Sequence, residues 1–252
     1  MLSRKTKLWV FINILGWVGV ASLLFSDIPL DNLPPEIIEK IPKQTLRWIL
    51  LINPALIVLV MTTVGIATYP SVFLKLPLIE FPMTGIRVLK NQLKDILLNG
   101  IGYGIVAGII LFSITKICSP YLPSALLDAT KGPDLNILTR ILYGGITEEI
   151  MTRFGLMSLF IWIISKLSKS HSNYIYWVAI FLSSLLFALG HFPIMFQIVK
   201  HPTVITYSYI ILGNSVGGWI FGYLYWKKGL ESAMIAHAVT HITMMAIHTL
   251  GV

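Results

Sequence analysis

The sequence predicts an all-α, polytopic integral membrane protein of about seven transmembrane helices. Three observations carry this. First, hydrophobic residues make up 56% of the 252 positions and charged residues only 12%, against about 25% charged in soluble domains. Mean hydropathy is +0.79. A soluble domain so poor in charge could not keep its surface wet, and a disordered chain needs the opposite composition. Second, seven apolar runs approach or exceed the roughly 20 residues that a spanning helix needs. Third, no alternating ten-residue segments of a membrane barrel occur, so backbone groups in lipid must be satisfied within helices.

The runs are 8–25, 46–67, 96–117, 141–165, 174–191, 203–226 and 230–250. The first follows Arg4, Lys5 and Lys7, as a secretory leader would, and contains a small-residue stretch, Gly19-Val20-Ala21. Its apolar part continues to Phe25, longer than the usual leader core of about 7–15 residues, so it reads as a retained anchor. Segment 27–45 is rich in Pro and charge and reads as a loop with an interfacial helical turn. Segment 69–94 carries Pro70, Pro77 and Pro82 before an amphipathic stretch, Ile86 to Leu93, and segment 119–136 is a second Pro-containing loop. There is no 20–50-residue repeat, and 1–252 reads as a single transmembrane domain.

The net charge of +8 would suggest nucleic acid in a soluble protein. In a chain this apolar it belongs to cytoplasmic loops and lipid head groups, so the expected partner is the bilayer and not nucleic acid. With the N-terminus inside, Arg4, Lys5, Lys7, Lys75, Arg87, Lys90, Lys94, Lys166, Lys169, Lys227 and Lys228 are cytoplasmic. Fewer basic residues, Lys40, Lys43, Arg47, Lys116, Lys131, Arg140 and Lys200, fall outside, together with the acids Asp27, Asp31, Glu36, Glu39, Asp128 and Asp134. This bias favours a cytoplasmic N-terminus and an external C-terminus. A single cysteine, Cys118, excludes an internal disulfide, a multi-Cys zinc site and a CxxC pair, and reads as a buried bystander.

Residues 100–108, GIGYGIVAG, imitate a dinucleotide loop. No strand precedes them and the whole run is helix-length and apolar, so the nucleotide reading fails. Gly100-xxx-Gly104, Gly104-xxx-Gly108 and Gly218-xxx-Gly222 instead have the spacing for close helix packing.

The informative stretch is 144–155, GGITEEIMTRFG, where Glu148, Glu149 and Arg153 stand within an apolar span. An ionised residue at mid-membrane costs about 2.5–3.5 kcal/mol on insertion scales, so residues kept there are functional candidates. Glu149 and Arg153 have i,i+4 spacing and can neutralise each other. On an α-helix Glu148 points about 100° away and is left free for a proton or a ligand. The bland alternative is a helix end at the head groups. His191 closes the fifth run, while His237 and His241 lie one turn apart in the seventh. His171, His201 and His248 read as bystanders. Two Glu and three His meeting in one half of the bilayer suit water activation or metal coordination.

The series Glu148-Glu149-xxx-Arg153, Phe187-xxx-His191 and His237-xxx-His241 resembles the motifs of the CPBP (Abi-type) family of CAAX-protease and bacteriocin-processing intramembrane proteases. The stretch GGWIFGYLYWKKGLESAMIAHAVTH is similar to the family's approach to its last motif. The resemblance covers 135–250 as a catalytic core and implies a CAAX-protease-like helical bundle. It implies an intramembrane endopeptidase for membrane-associated or exported peptides. Glu148 and His191 would activate water, His237 and His241 would stabilise the oxyanion, and Arg153 would hold Glu149. Prenyl-protein endopeptidases of the family usually carry Asn where this chain has His241. That departure keeps a metal alternative open, with zinc on Glu148, His191, His237 and His241, although the HExxH glutamate is absent. No cofactor is the first expectation. Other classes are a proton- or metal-coupled transporter, against which stands the lack of an inverted repeat, and a non-catalytic scaffold. The compact chain is expected in a bacterial plasma membrane.

The loop charges make a testable statement. A tag fused to the C-terminus is expected to be cut by protease added outside intact cells; a tag that survives until the cells are lysed would reverse the orientation.

Overall fold

The computed structural model describes residues 3–26, 35–84, 89–131 and 136–250. Asp27, Asp31, Arg87, Asp134 and the start of the 86–93 stretch lie outside these residues. Among the described residues, seven helices are long and apolar enough to cross a membrane: Arg4–Phe25, Lys43–Val72, Lys90–Tyr121, Ile137–Ser168, Asn173–Ile198, Val204–Lys228 and Leu230–Thr249. Below they are the first to seventh spans. Each matches one predicted run, and most extend past it. Apolar counting detects only the part in hydrocarbon, whereas the third span continues through Lys90, Lys94 and Asp95 into the polar region. Among the described residues there is no strand.

Short helices occupy the connections. Pro35–Lys40 lies in the first loop, Pro77–Thr84 follows the second span and Ser124–Lys131 follows the third. The fifth span ends its regular helix at Leu189, and Phe192–Ile198 continues after a turn at Gly190 and His191. That break sets His191 at a helix junction.

Glycine spacing decides which spans touch. A Cβ at Gly104 would stand 2.6 Å from the Ala236 carbonyl, and Cβ atoms at Gly100 and Gly108 would meet Ile235 and Thr243 at 2.7 and 2.6 Å. The third span therefore lies backbone-close against the seventh, and Thr240 Oγ1 donates to the Gly104 carbonyl across the contact (3.2 Å). Gly218 and Gly222 bring the sixth span onto Ser184 and Ile180 of the fifth in the same way.

The fourth span is the most buried of the seven. It packs on the first, second, fifth and seventh. Its Ile150, Phe154, Met157 and Ile161 are fully buried with Ala179, Phe221, Leu224 and Ala233. Its winding differs from the α-helix assumed from sequence: Arg140–Glu148 and Ile150–Met157 are π-helix. A π turn closes through i→i+5 bonds and is wider than an α turn, so successive side chains diverge by a smaller angle.

One further tie joins the chain's two halves. Glu231, at the start of the seventh span, is 6% exposed. Its Oε1 accepts from the backbone N–H groups of Leu78 and Ile79, both at 2.7 Å. It thereby caps the Pro77–Thr84 helix from another span. The Leu230 N–H donates to the Lys75 carbonyl beside it (3.2 Å). Gly229 turns with φ 111°, where a Cβ would meet Pro77 at 2.7 Å. Glu231→Ala leaves two N–H donors, that of Ile79 buried and that of Leu78 half-buried, without their acceptor. It is expected to cost about 1–3 kcal/mol, with a smaller loss for Glu231→Gln, read from thermal unfolding in detergent.

Candidate active site

The site grows from Glu149. Its side chain is wholly buried, as is that of Arg153, and Arg153 Nε stands 3.3 Å from Glu149 Oε2. From the seventh span, His237 Nδ1 reaches Glu149 Oε1 at 2.9 Å. The carboxylate thus stands between a guanidinium on its own helix and an imidazole opposite. Arg153 Nη1 donates to Thr152 Oγ1 (2.7 Å), whose hydroxyl donates to the Glu148 carbonyl (2.6 Å). The guanidinium lies over the Phe187 ring at 5.3 Å and the Phe221 ring at 5.9 Å. These rings interact with the charge where water is excluded.

Glu148 corrects one expectation. On an α-helix it would be turned away from the Glu149 face. Here its Oε2 lies 3.9 Å from His237 Nε2, so one imidazole faces both carboxylates. π winding on either side of Glu149 accompanies this placement and narrows the angle between successive residues. The 3.9 Å gap is too long for a direct hydrogen bond. Glu148 keeps 15% of its side chain accessible.

The other two histidines complete the cluster. The His241 ring lies 5.0 Å from that of His237 with planes 23° apart. A Cβ at residue 144 would stand 2.7 Å from His241 Nε2, so Gly144 makes room for that ring, and Gly145 does the same for Ala238. His191 donates through Nδ1 to the Phe187 carbonyl at 2.9 Å, because a carbonyl can only accept. A neutral His191 therefore carries its lone pair on Nε2. Its ring stands edge-on to Phe187 at 4.7 Å, within electrostatic reach of His237 and His241.

All six candidates, Glu148, Glu149, Arg153, His191, His237 and His241, therefore gather where the fourth, fifth and seventh spans meet. The bystander histidines do not: His171, His201 and His248 are exposed, with His171 against Phe73. Cys118 is half-buried beside Leu122, Leu126 and Val199. Sequence reasoning passed over Thr152, Gly144 and Phe221. Gly144 left a signal, since paired glycines just before intramembrane acids mark a close approach. Phe221 left none, because an aromatic residue in an apolar span reads as core.

The buried pair makes a stability prediction. Arg153→Met strands Glu149 without its guanidinium and is expected to cost about 3–5 kcal/mol. Adding Glu149→Gln is expected to restore part of it, as a double-mutant cycle of unfolding in detergent would measure.

Comparison with curated proteins and with solved structures gives no match. Residues 132–243, the segment that holds all six candidates, match the family model described as Rce1-like: type II CAAX prenyl endopeptidase Rce1-like, consistent with the CPBP family.

Proposed function

We propose that this integral membrane protein is an intramembrane endopeptidase that cleaves membrane-associated or exported peptides with water activated by Glu148 and His191. The observation that carries the reading is the convergence of two glutamates and His237 inside the bilayer bundle, at 2.9 and 3.9 Å. It lies within a segment matching a protease family.

In this reading Glu148, the accessible carboxylate, takes a proton from water as general base. His191 offers its Nε2 lone pair to the same water. The oxygen attacks the scissile carbonyl carbon, and the carbonyl π electrons move onto oxygen. His237 and His241 donate hydrogen bonds to that oxyanion. Because Nδ1 of His237 faces Glu149, Nε2 is its working atom, and it donates when the ring carries both protons. Collapse breaks the C–N bond, and Glu148 returns its proton to the leaving amine.

A metal would draw on Glu148, His191, His237 and His241, but their arrangement does not suit one. Among the described residues, no three His, Cys, Asp or Glu side chains form a group that could hold a metal ion. The near-parallel His237 and His241 rings, 5.0 Å apart, cannot aim in-plane lone pairs at one ion about 2.0–2.1 Å from each. The mechanism therefore routes no step through a metal.

Purified protein offered a library of membrane-tethered peptides tests the proposal. Cleavage is expected to survive exhaustive chelation. It is expected to fall by roughly 10²–10⁴-fold in Glu148→Gln and to fall strongly in His191→Ala. Equal cutting by wild type and Glu148→Gln would overturn the reading. Uptake of a metal through these residues, without cleavage by any form, would favour a transporter.

A further inference from the structure

We infer that Phe221, on the sixth span, is a positioning residue for His237: its ring fixes the imidazole plane and so holds Nε2, the atom that donates to the oxyanion, in its place beside Glu148. The inference rests on the peptidase reading of this site. The hydrogen bond between Nδ1 and Glu149 orients one edge of the imidazole and leaves tilts of its plane unopposed. A flat neighbour removes that freedom.

Two rings lie flat against His237, that of His241 at 5.0 Å and 23° and, closer, that of Phe221. Its ring centroid lies 4.5 Å from that of His237 with planes 21° apart, and the residue is 2% exposed. Phe187 does not duplicate the contact, because it meets His237 edge-on, at 6.4 Å and 89°. The two phenylalanines divide the work. Phe187 lies closer to Arg153, while Phe221 stacks on His237 and also faces Arg153 at 5.9 Å. The sixth span is fixed in turn by Gly218 and Gly222 against the fifth. A leucine at 221 would keep most of the apolar volume and lose the flat face. A tyrosine would keep the face.

The test compares wild type, Phe221→Leu, Phe221→Tyr and Glu148→Gln, each as the full chain in lipid nanodiscs. The readouts are kcat and KM for a tethered peptide that wild type cuts, and the nitrogen resonances of ¹⁵N-labelled histidine. The His237 signals are identified by their loss in His237→Asn. Phe221→Leu is expected to lower kcat by roughly 10²-fold, the scale of a misplacement of about 1 Å, with KM nearly unchanged. It is also expected to shift the His237 resonances, and Phe221→Tyr is expected to restore most of both. A merely structural role would lower stability without separating kcat from KM or moving His237 in folded protein. Phe221→Met replaces the leucine variant if that fails to fold. Wild-type kcat in the aliphatic variant, or unmoved His237 resonances, overturns the inference. Equal cutting by Glu148→Gln overturns instead the peptidase reading, and the resonances then decide whether Phe221 holds His237.

Discussion

A carboxylate with no accessible surface, on a helix that crosses a membrane, has to be answered from within the protein. Glu149 is answered twice, by Arg153 at 3.3 Å and by His237 at 2.9 Å. Much of the packing follows from that. The imidazole can arrive only if the seventh span comes close to the fourth, and Gly144 and Gly145 leave the space for it. The seventh span is held from behind by the glycine stripe of the third, where a Cβ at 100, 104 or 108 would strike it. Its start is fixed by Glu231 on the backbone of Leu78 and Ile79. Small residues let helices approach in lipid, where the hydrophobic effect gives no preference for helix over lipid tail.

The winding of the fourth span links this packing to the site. An α-helix displays residues 148 and 149 about 100° apart, so one would face the seventh span and the other would not. π stretches lie on either side of Glu149, and His237 faces both carboxylates, at 2.9 and 3.9 Å. Wide turns give up good backbone geometry, which is why they are rare and concentrate at functional positions.

The sequence reveals the spans because lipid imposes one length and one composition on each of them. It reveals the glycine contacts because small residues at four-residue spacing have few other uses in such helices. It also points to Glu148, Glu149 and Arg153, since charge inside an apolar run is conspicuous. What stays hidden depends on geometry that no residue announces. GGITEEIMTRFG has no composition peculiar to π winding, so the reach of Glu148 to His237 has no trace in the sequence. Phe221 reads as one more apolar residue in an apolar helix, and its stacking emerges only once the sixth and seventh spans are side by side. Glu231 reads as a helix-start acid at a loop, yet the N–H groups that donate to it belong to a segment more than 150 residues away.

The adjacent glutamates give one helix two carboxylates in different environments. Assignments of acid, base and support follow from the environments that separate otherwise identical groups. Glu149 has no accessible surface, a guanidinium beside it and an imidazole nitrogen on one oxygen. Its contacts hold it in place, and one of them fixes the Nδ1 edge of His237. Glu148 keeps 15% of its side chain accessible and reaches His237 only across 3.9 Å. It is the carboxylate that water can approach. The same apolar bundle that makes both groups costly strengthens whatever they do bind, because low dielectric magnifies every paired charge. A wholly buried carboxylate in such a bundle needs a cation beside it before a second carboxylate can stand next to it, and Arg153, 3.3 Å from Glu149, supplies that condition.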